Sequence, residues 1–123
     1  MVIADTDILI AAIRGNKIAQ SLISKYMPNV YISAVTEIEL YIGATNTEKK
    51  NAVKQILKTH TVLHLSRSIG NICLRLIKTY NTPNRNLYMP DALIAATCIE
   101  HGYSLLTFNT KDYKFIKGLK LAK

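Results

Sequence analysis

The acidic residues of this chain stand where an ordinary soluble domain does not place them. Of eight Asp and Glu, Asp5 and Asp7 adjoin the apolar run Val2-Ile3-Ala4, Glu39 and Asp91 fall within apolar helical patterns, and Asp112 sits in a C-terminal turn. A carboxylate taken out of water needs compensation from a paired base or a bound cation. Almost no Lys or Arg stands close in sequence to these acids, so a hard divalent ion held by oxygen ligands is the leading explanation. Any fold for this chain must therefore gather separated apolar segments around a cluster of negative charge.

With 123 residues and 49% hydrophobic content, the chain is expected to form one domain, 1–123, with a genuine core. Its 16 Lys and Arg give a net charge of +8. If the acids share one cleft, the remaining surface is more basic still. A positive field around an acidic pocket suits a polyanionic substrate handled through metal; the plain alternative is a solvated Lys-rich surface. Cys73 and Cys98 lie in apolar helical patterns without ligand spacing, which argues against a zinc site and a disulfide framework and for a reducing, cytoplasmic setting. The run 2–13 is broken by Asp5 and Asp7 and has no basic leader, unlike a signal peptide, and no stretch is long and apolar enough to span a membrane.

Periodicity predicts a strand at 2–4, a helix over 8–13 ended by Gly15, and a second helix over 17–26 with Ile18, Leu22 and Tyr26 on one side. A strand at 30–32 follows. Ser33 is expected to cap a helix reaching Gly43, and Thr47 to cap a basic helix carrying Lys49, Lys50, Lys54 and Lys58. A third strand is expected within 62–65. Ser66 or Ser68 then opens a helix with Ile69, Ile72, Cys73, Leu76, Ile77 and Tyr80 inward, the clearest amphipathic stripe in the chain. A loop over 81–89, a helix begun by Pro90 and ended by Gly102, a fourth strand at 104–107, a helical turn at 111–115 and a last strand near 119–121 complete the pattern. Alternating strands and helices imply a mostly parallel sheet covered on both faces, with its crevice outside the carboxyl ends of the strands. Asp5 and the residues after Thr107 should meet there.

At about 100° per residue, Glu39 shares a helix face with Val35, Ile38 and Ile42, whereas Glu37 points away toward solvent. Asp91 falls in a first helical turn, where an acid also suits the helix dipole. Asp7 is assigned capping or a supporting role behind Asp5. Such a set suits phosphodiester hydrolysis assisted by one or two Mg²⁺ or Mn²⁺ ions, and without metal the clustered charges should raise carboxylate pKa values. His60, His64 and His101 add little, and no nucleophilic triad or phosphate-cradling Gly-rich loop stands out. The seven tyrosines read as packing and rim residues, with Tyr41, Tyr88 and Tyr113 candidates for positions beside the cleft.

Four segments in order carry a family likeness: Asp5-Thr6-Asp7-Ile8-Leu9-Ile10 after the first strand; Ser33-Ala34-Val35-Thr36 with Glu39-Leu40 and Gly43; Pro90-Asp91-Ala92-Leu93-Ile94-Ala95-Ala96-Thr97; and Leu105-Leu106-Thr107 with Asn109 and Asp112-Tyr113. Together they resemble a PIN domain over essentially the whole chain, and in size and motif the VapC-type toxins of toxin–antitoxin pairs. The resemblance implies a three-layer α/β/α Rossmann-like fold and a Mg²⁺- or Mn²⁺-dependent endoribonuclease, often a homodimer, held inactive by a cognate antitoxin. By motif it assigns the metal to Asp5, Glu39 and Asp91. The fourth acidic position is occupied by Asn109, and Asp112, one helical turn later, is the candidate to replace it. Thr107 supplies a hydroxyl near the metal water or the scissile phosphate, Thr6 anchors backbone at the turn, and Lys49, Lys50, Lys54, Lys58 and Arg85 are candidates for RNA phosphates.

Two other classes remain open. A haloacid-dehalogenase-type phosphatase also begins with a strand and Asp-x-Asp, but it favours Thr where this chain has Leu9, and it leaves Glu39 without a role. A non-catalytic RNA-binding protein on the same scaffold is favoured by Asn109 and the basic surface. Metal-dependent cleavage of single-stranded RNA separates the enzyme from both.

Overall fold

In a computed structural model describing all 123 residues, four short strands form one parallel sheet: β1 (Val2–Ala4), β2 (Val30–Ser33), β3 (Thr61–Leu63) and β4 (Ser104–Leu106), in the order β3-β2-β1-β4. Parallel neighbours need long crossovers, and six helices provide them. These are α1 (Thr6–Ile13), α2 (Lys17–Tyr26), α3 (Ala34–Gly43), α4 (Thr47–Lys58), α5 (Arg67–Tyr80) and α6 (Met89–His101). The pleat sorts the core in two. Val2 and Ala4 of β1 join Ile8, Leu9, Ala19 and Val53 on one face, while Ile3 joins Ile69, Cys73, Leu76 and Ile94 on the other. The three-layer α/β/α arrangement expected from the alternating pattern is therefore present, with α5 and α6 packed along each other on one side.

Local chemistry starts the helices, in places one or two residues from where sequence puts them. Asp5, not Asp7, caps α1, accepting the Thr6 N–H at 2.9 Å, so α1 begins before Ile8. Asn46, not Thr47, caps α4 through the Lys49 N–H at 2.8 Å. Ser33 and Ser66 cap α3 and α5 as expected. Strand β3 stops at Leu63 and leaves Leu65 exposed, and the last expected strand amounts to a single bridge between Leu105 and Leu121.

Helix faces deviate where a helix has neighbours on more than one side. In α2 the buried residue is Ala19, and Ile18 turns outward. In α3, Val35, Thr36 and Leu40 are buried, whereas Ile38 and Ile42 are 55% and 72% exposed. That helix touches α1 and α4 on one flank and α6 on the other, so two partial faces replace the single stripe read from sequence. Glu37 is half-buried rather than fully solvated.

The chain leaves β1 for β2 on one side and returns to β4 on the other, which makes the gap between β1 and β4 the topological switch point. Asp5 follows β1 directly, and its N–H donates to the Leu106 carbonyl at the end of β4 at 2.9 Å. The sheet order thus brings residues 5 and 107 side by side.

Candidate active site

The carboxyl end of β1 and the start of α1 deliver Asp5, Thr6 and Asp7 to this crevice. Asp5 is 5% exposed, with one carboxylate oxygen accepting the Thr6 N–H and the other the Thr107 hydroxyl at 2.8 Å. Asp7 accepts the Phe108 N–H at 3.0 Å through Oδ2 and lies 3.4 Å from the Thr107 hydroxyl. Its Oδ1 is buried without a partner. Thr107 Oγ1 also accepts the Asn109 N–H at 3.0 Å, so the turn after β4 is stitched to α1 through these acids.

Glu39 and Asp91 come from α3 and α6. Glu39 Oε1 accepts the Thr6 hydroxyl at 2.7 Å, and Thr6 Oγ1 lies 3.0 Å from the fully buried Thr36 hydroxyl. With its single proton given to Glu39, Thr6 accepts from Thr36. Asp91 Oδ1 accepts the Tyr113 hydroxyl at 3.2 Å.

Asp5, Asp7 and Asp91 are each destabilised as anions. Burial, then the charges of Asp7 and Asp91, push Asp5 up to about 6 against the opposing hydrogen bonds from Thr107 and Thr6. Burial also raises Asp7, opposed chiefly by the Phe108 N–H. Asp91 is raised by burial and by the charges of Asp112, Glu39 and Asp7, opposed by Tyr113. No positive charge is among the influences on these three. Burial and the nearby Asp5 and Asp91 also push the Tyr113 phenol far up, which keeps it a neutral donor.

A divalent cation fits this chemistry. The donors are oxygens, no base neutralises the charges, and Asp7, next but one to Asp5, has a buried Oδ1 without a partner. No three Asp, Glu, His or Cys side chains meet as a ready-made cage. Mg²⁺ does not require one, since it keeps several waters and takes one or two carboxylates together with substrate phosphate oxygens.

The structure brings Asp5, Asp7 and Thr107 into direct contact and places Glu39 and Asp112 within electrostatic reach of Asp91. Asp112 is exposed in the single 3-10 turn Thr110–Asp112, and Asn109 is exposed beside it. Lys49, Lys50, Lys54 and Lys58 are exposed on α4. Arg85 is exposed and stacks over the Phe115 ring, 4.1 Å from its centroid. Thr6 departs from its expected backbone role, because its side chain reaches 33 residues along the chain to Glu39. Sequence reading gave Thr36 and Tyr113 no part in holding the acids. The signals were their place inside the motifs, next to residues already singled out, and for Tyr113 an expected position beside the cleft.

A family model described as PIN domain matches residues 2–117. Ribonuclease VapC1 of Rickettsia felis is 35% identical over 126 residues, covering 97% of this chain and 92% of that protein. Ribonuclease VapC of Rickettsia bellii is 31% identical with the same coverage. A toxin–antitoxin complex from Klebsiella pneumoniae contains a chain matching this one with TM-score 0.84 and 29% identity, over 97% of this chain and 95% of that one. VapBC2 from Rickettsia felis, bound to a promoter DNA fragment, shares the fold at TM-score 0.89 and 21% identity, over 99% of this chain and 98% of that one.

Proposed function

This chain belongs to the PIN-domain family, and from that premise we propose that it is a metal-dependent endoribonuclease, the toxin of a toxin–antitoxin pair. The observation that carries the reading is the set of partly desolvated carboxylates at the switch point, unneutralised by any base. Asp5 and Asp91 would hold Mg²⁺ or Mn²⁺, with Glu39 reaching it through water. When bound, such an ion polarises a phosphate and lowers the pKa of a bound water. Thr107 orients Asp5, and Asp7 pins the Phe108 backbone so that the turn bearing Thr107 stays in place. Exposed lysines of α4 and the net charge of +8 suit RNA phosphates.

Two relatives are named ribonucleases, and the Klebsiella pneumoniae match is a toxin–antitoxin complex, which supports both activity and partner. A groove between α1, α3 and α4, lined by Ile10, Ile13, Leu40 and Ala44 with Glu39 and Glu48 and the bases Arg14 and Lys49, suits an antitoxin segment carrying apolar and charged side chains. Exposed Ile38, Tyr41 and Ile42 on α3 support a homodimer.

The test incubates purified chain with single-stranded RNA and Mg²⁺ or Mn²⁺, with chelator as control. Cleavage should require metal and disappear in Asp5→Asn, and expression without antitoxin should arrest growth in the wild type alone. A wild type that binds RNA yet leaves it intact would favour the non-catalytic reading to which Asn109 points. The phosphatase alternative lapses with the family match.

A further inference from the structure

The three carboxylates assigned to the metal share a feature that their motifs do not announce. Each has one oxygen engaged by a hydroxyl: Asp5 by Thr107, Glu39 by Thr6 and Asp91 by Tyr113. The third case differs in kind. Tyr113 is 1% exposed, with its ring in the core beside the inner faces of α5 and α6, so its hydroxyl reaches Asp91 from within the protein. Its backbone is fixed as well: the Tyr113 N–H donates to Thr110, the Ile116 N–H donates to Tyr113, and the Lys117 N–H donates to the Tyr80 hydroxyl at 3.0 Å. Phe would fill the same space and donate nothing.

We propose that Tyr113 is a positioning residue for Asp91: its hydroxyl engages one lone pair of Oδ1 at 3.2 Å, which disfavours a cation held through both oxygens at once and so biases the site toward a small octahedral ion. The inference rests on the metal-dependent reading above. Mg²⁺ and Mn²⁺ are served by single carboxylate oxygens completed with water and phosphate, whereas Ca²⁺ takes more oxygens and readily accepts a carboxylate through both. A hydroxyl holding one oxygen from behind also restrains the torsion of the Asp91 side chain and stabilises its anion within the crowded acid cluster. Supporting partners of this kind commonly change metal affinity by about ten- to a hundredfold.

Calorimetric titration of Mg²⁺, Mn²⁺ and Ca²⁺ into the wild type, Tyr113→Phe, Asp91→Asn and the double variant tests this, with circular dichroism to establish that each is folded. Tyr113→Phe should weaken Mg²⁺ by about tenfold and Ca²⁺ by less, so that the preference for Mg²⁺ shrinks. In the Asp91→Asn background, the same change should lose most of its effect, because the hydroxyl acts chiefly through that carboxylate, with Asp5 also near it. Equal affinities and an equal Mg²⁺-to-Ca²⁺ ratio in wild type and Tyr113→Phe overturn the inference, as does an undiminished Tyr113→Phe effect in Asp91→Asn. A wild type that binds none of the three ions is a different result, and it removes the metal-dependent reading itself.

Discussion

Thr6 joins two acids that lie on different elements: its N–H holds Asp5 and its hydroxyl holds Glu39. A hydrogen bond to a charged group contributes about 1.5 to 3 kcal/mol, so Thr6→Val, which keeps shape and loses the hydroxyl, should reduce metal-dependent cleavage by about tenfold or more. Glu39→Gln should come close to abolishing it, and Glu37→Gln should cleave RNA at nearly the wild-type rate. Initial rates on one RNA at saturating Mg²⁺ decide the ranking, and a greater loss for Glu37→Gln would sink the assignment. The distinction between these glutamates is legible in sequence because two residues on a helix differ by about 200° whatever the helix packs against. The partner of Thr6 is not legible. A side chain that can anchor its own turn or reach across the crevice takes whichever acceptor the packed helices bring near.

At the scale of elements, capping is local and should be separable by substitution. Asn46→Ala removes the acceptor for the Lys49 N–H and should cost about 1 kcal/mol, while Thr47→Ala, already inside α4 where Ala is the better helix former, should be neutral or stabilising by about a few tenths. Urea titration of the two variants reads the difference directly; a lower midpoint for Thr47→Ala than for Asn46→Ala would return the cap to Thr47. Sequence placed α5 and its inner residues well because that helix buries one continuous stripe. It misplaced the faces of α2 and α3, where Ile18, Ile38 and Ile42 are exposed. A periodic pattern records how many apolar residues a helix has on a side, but not how many neighbours share that side.

For the whole molecule, the acid cluster sets a pH dependence whose sign follows from the raised pKa of Asp5. Folding lifts that carboxyl from 3.8 to about 6, so the folded chain holds this proton more tightly than the unfolded one. Below the lower value both states are protonated and folding is not penalised. As pH rises through the window the folded carboxyl must ionise in its buried place, and the loss of stability grows to about 3 kcal/mol above the upper value. Asp7 and Asp91, also raised, act in the same direction. In chelator, the melting temperature should fall between about pH 4 and about pH 7, and the rise produced by saturating Mg²⁺ should be larger at the upper end. A chelated protein that becomes more stable across that interval would contradict the arrangement. The strand-and-helix alternation, the acids beside β1 and in α3 and α6, and the family they imply were determined by the sequence alone, since each depends on neighbours within a few turns of chain. Only the tertiary structure decided that Thr6 meets Glu39, that Tyr113 meets Asp91, and that Ile38 and Ile42 face outward. Those outcomes depend on the sheet order β3-β2-β1-β4, which sets residues far apart in sequence beside one another and which no local pattern encodes.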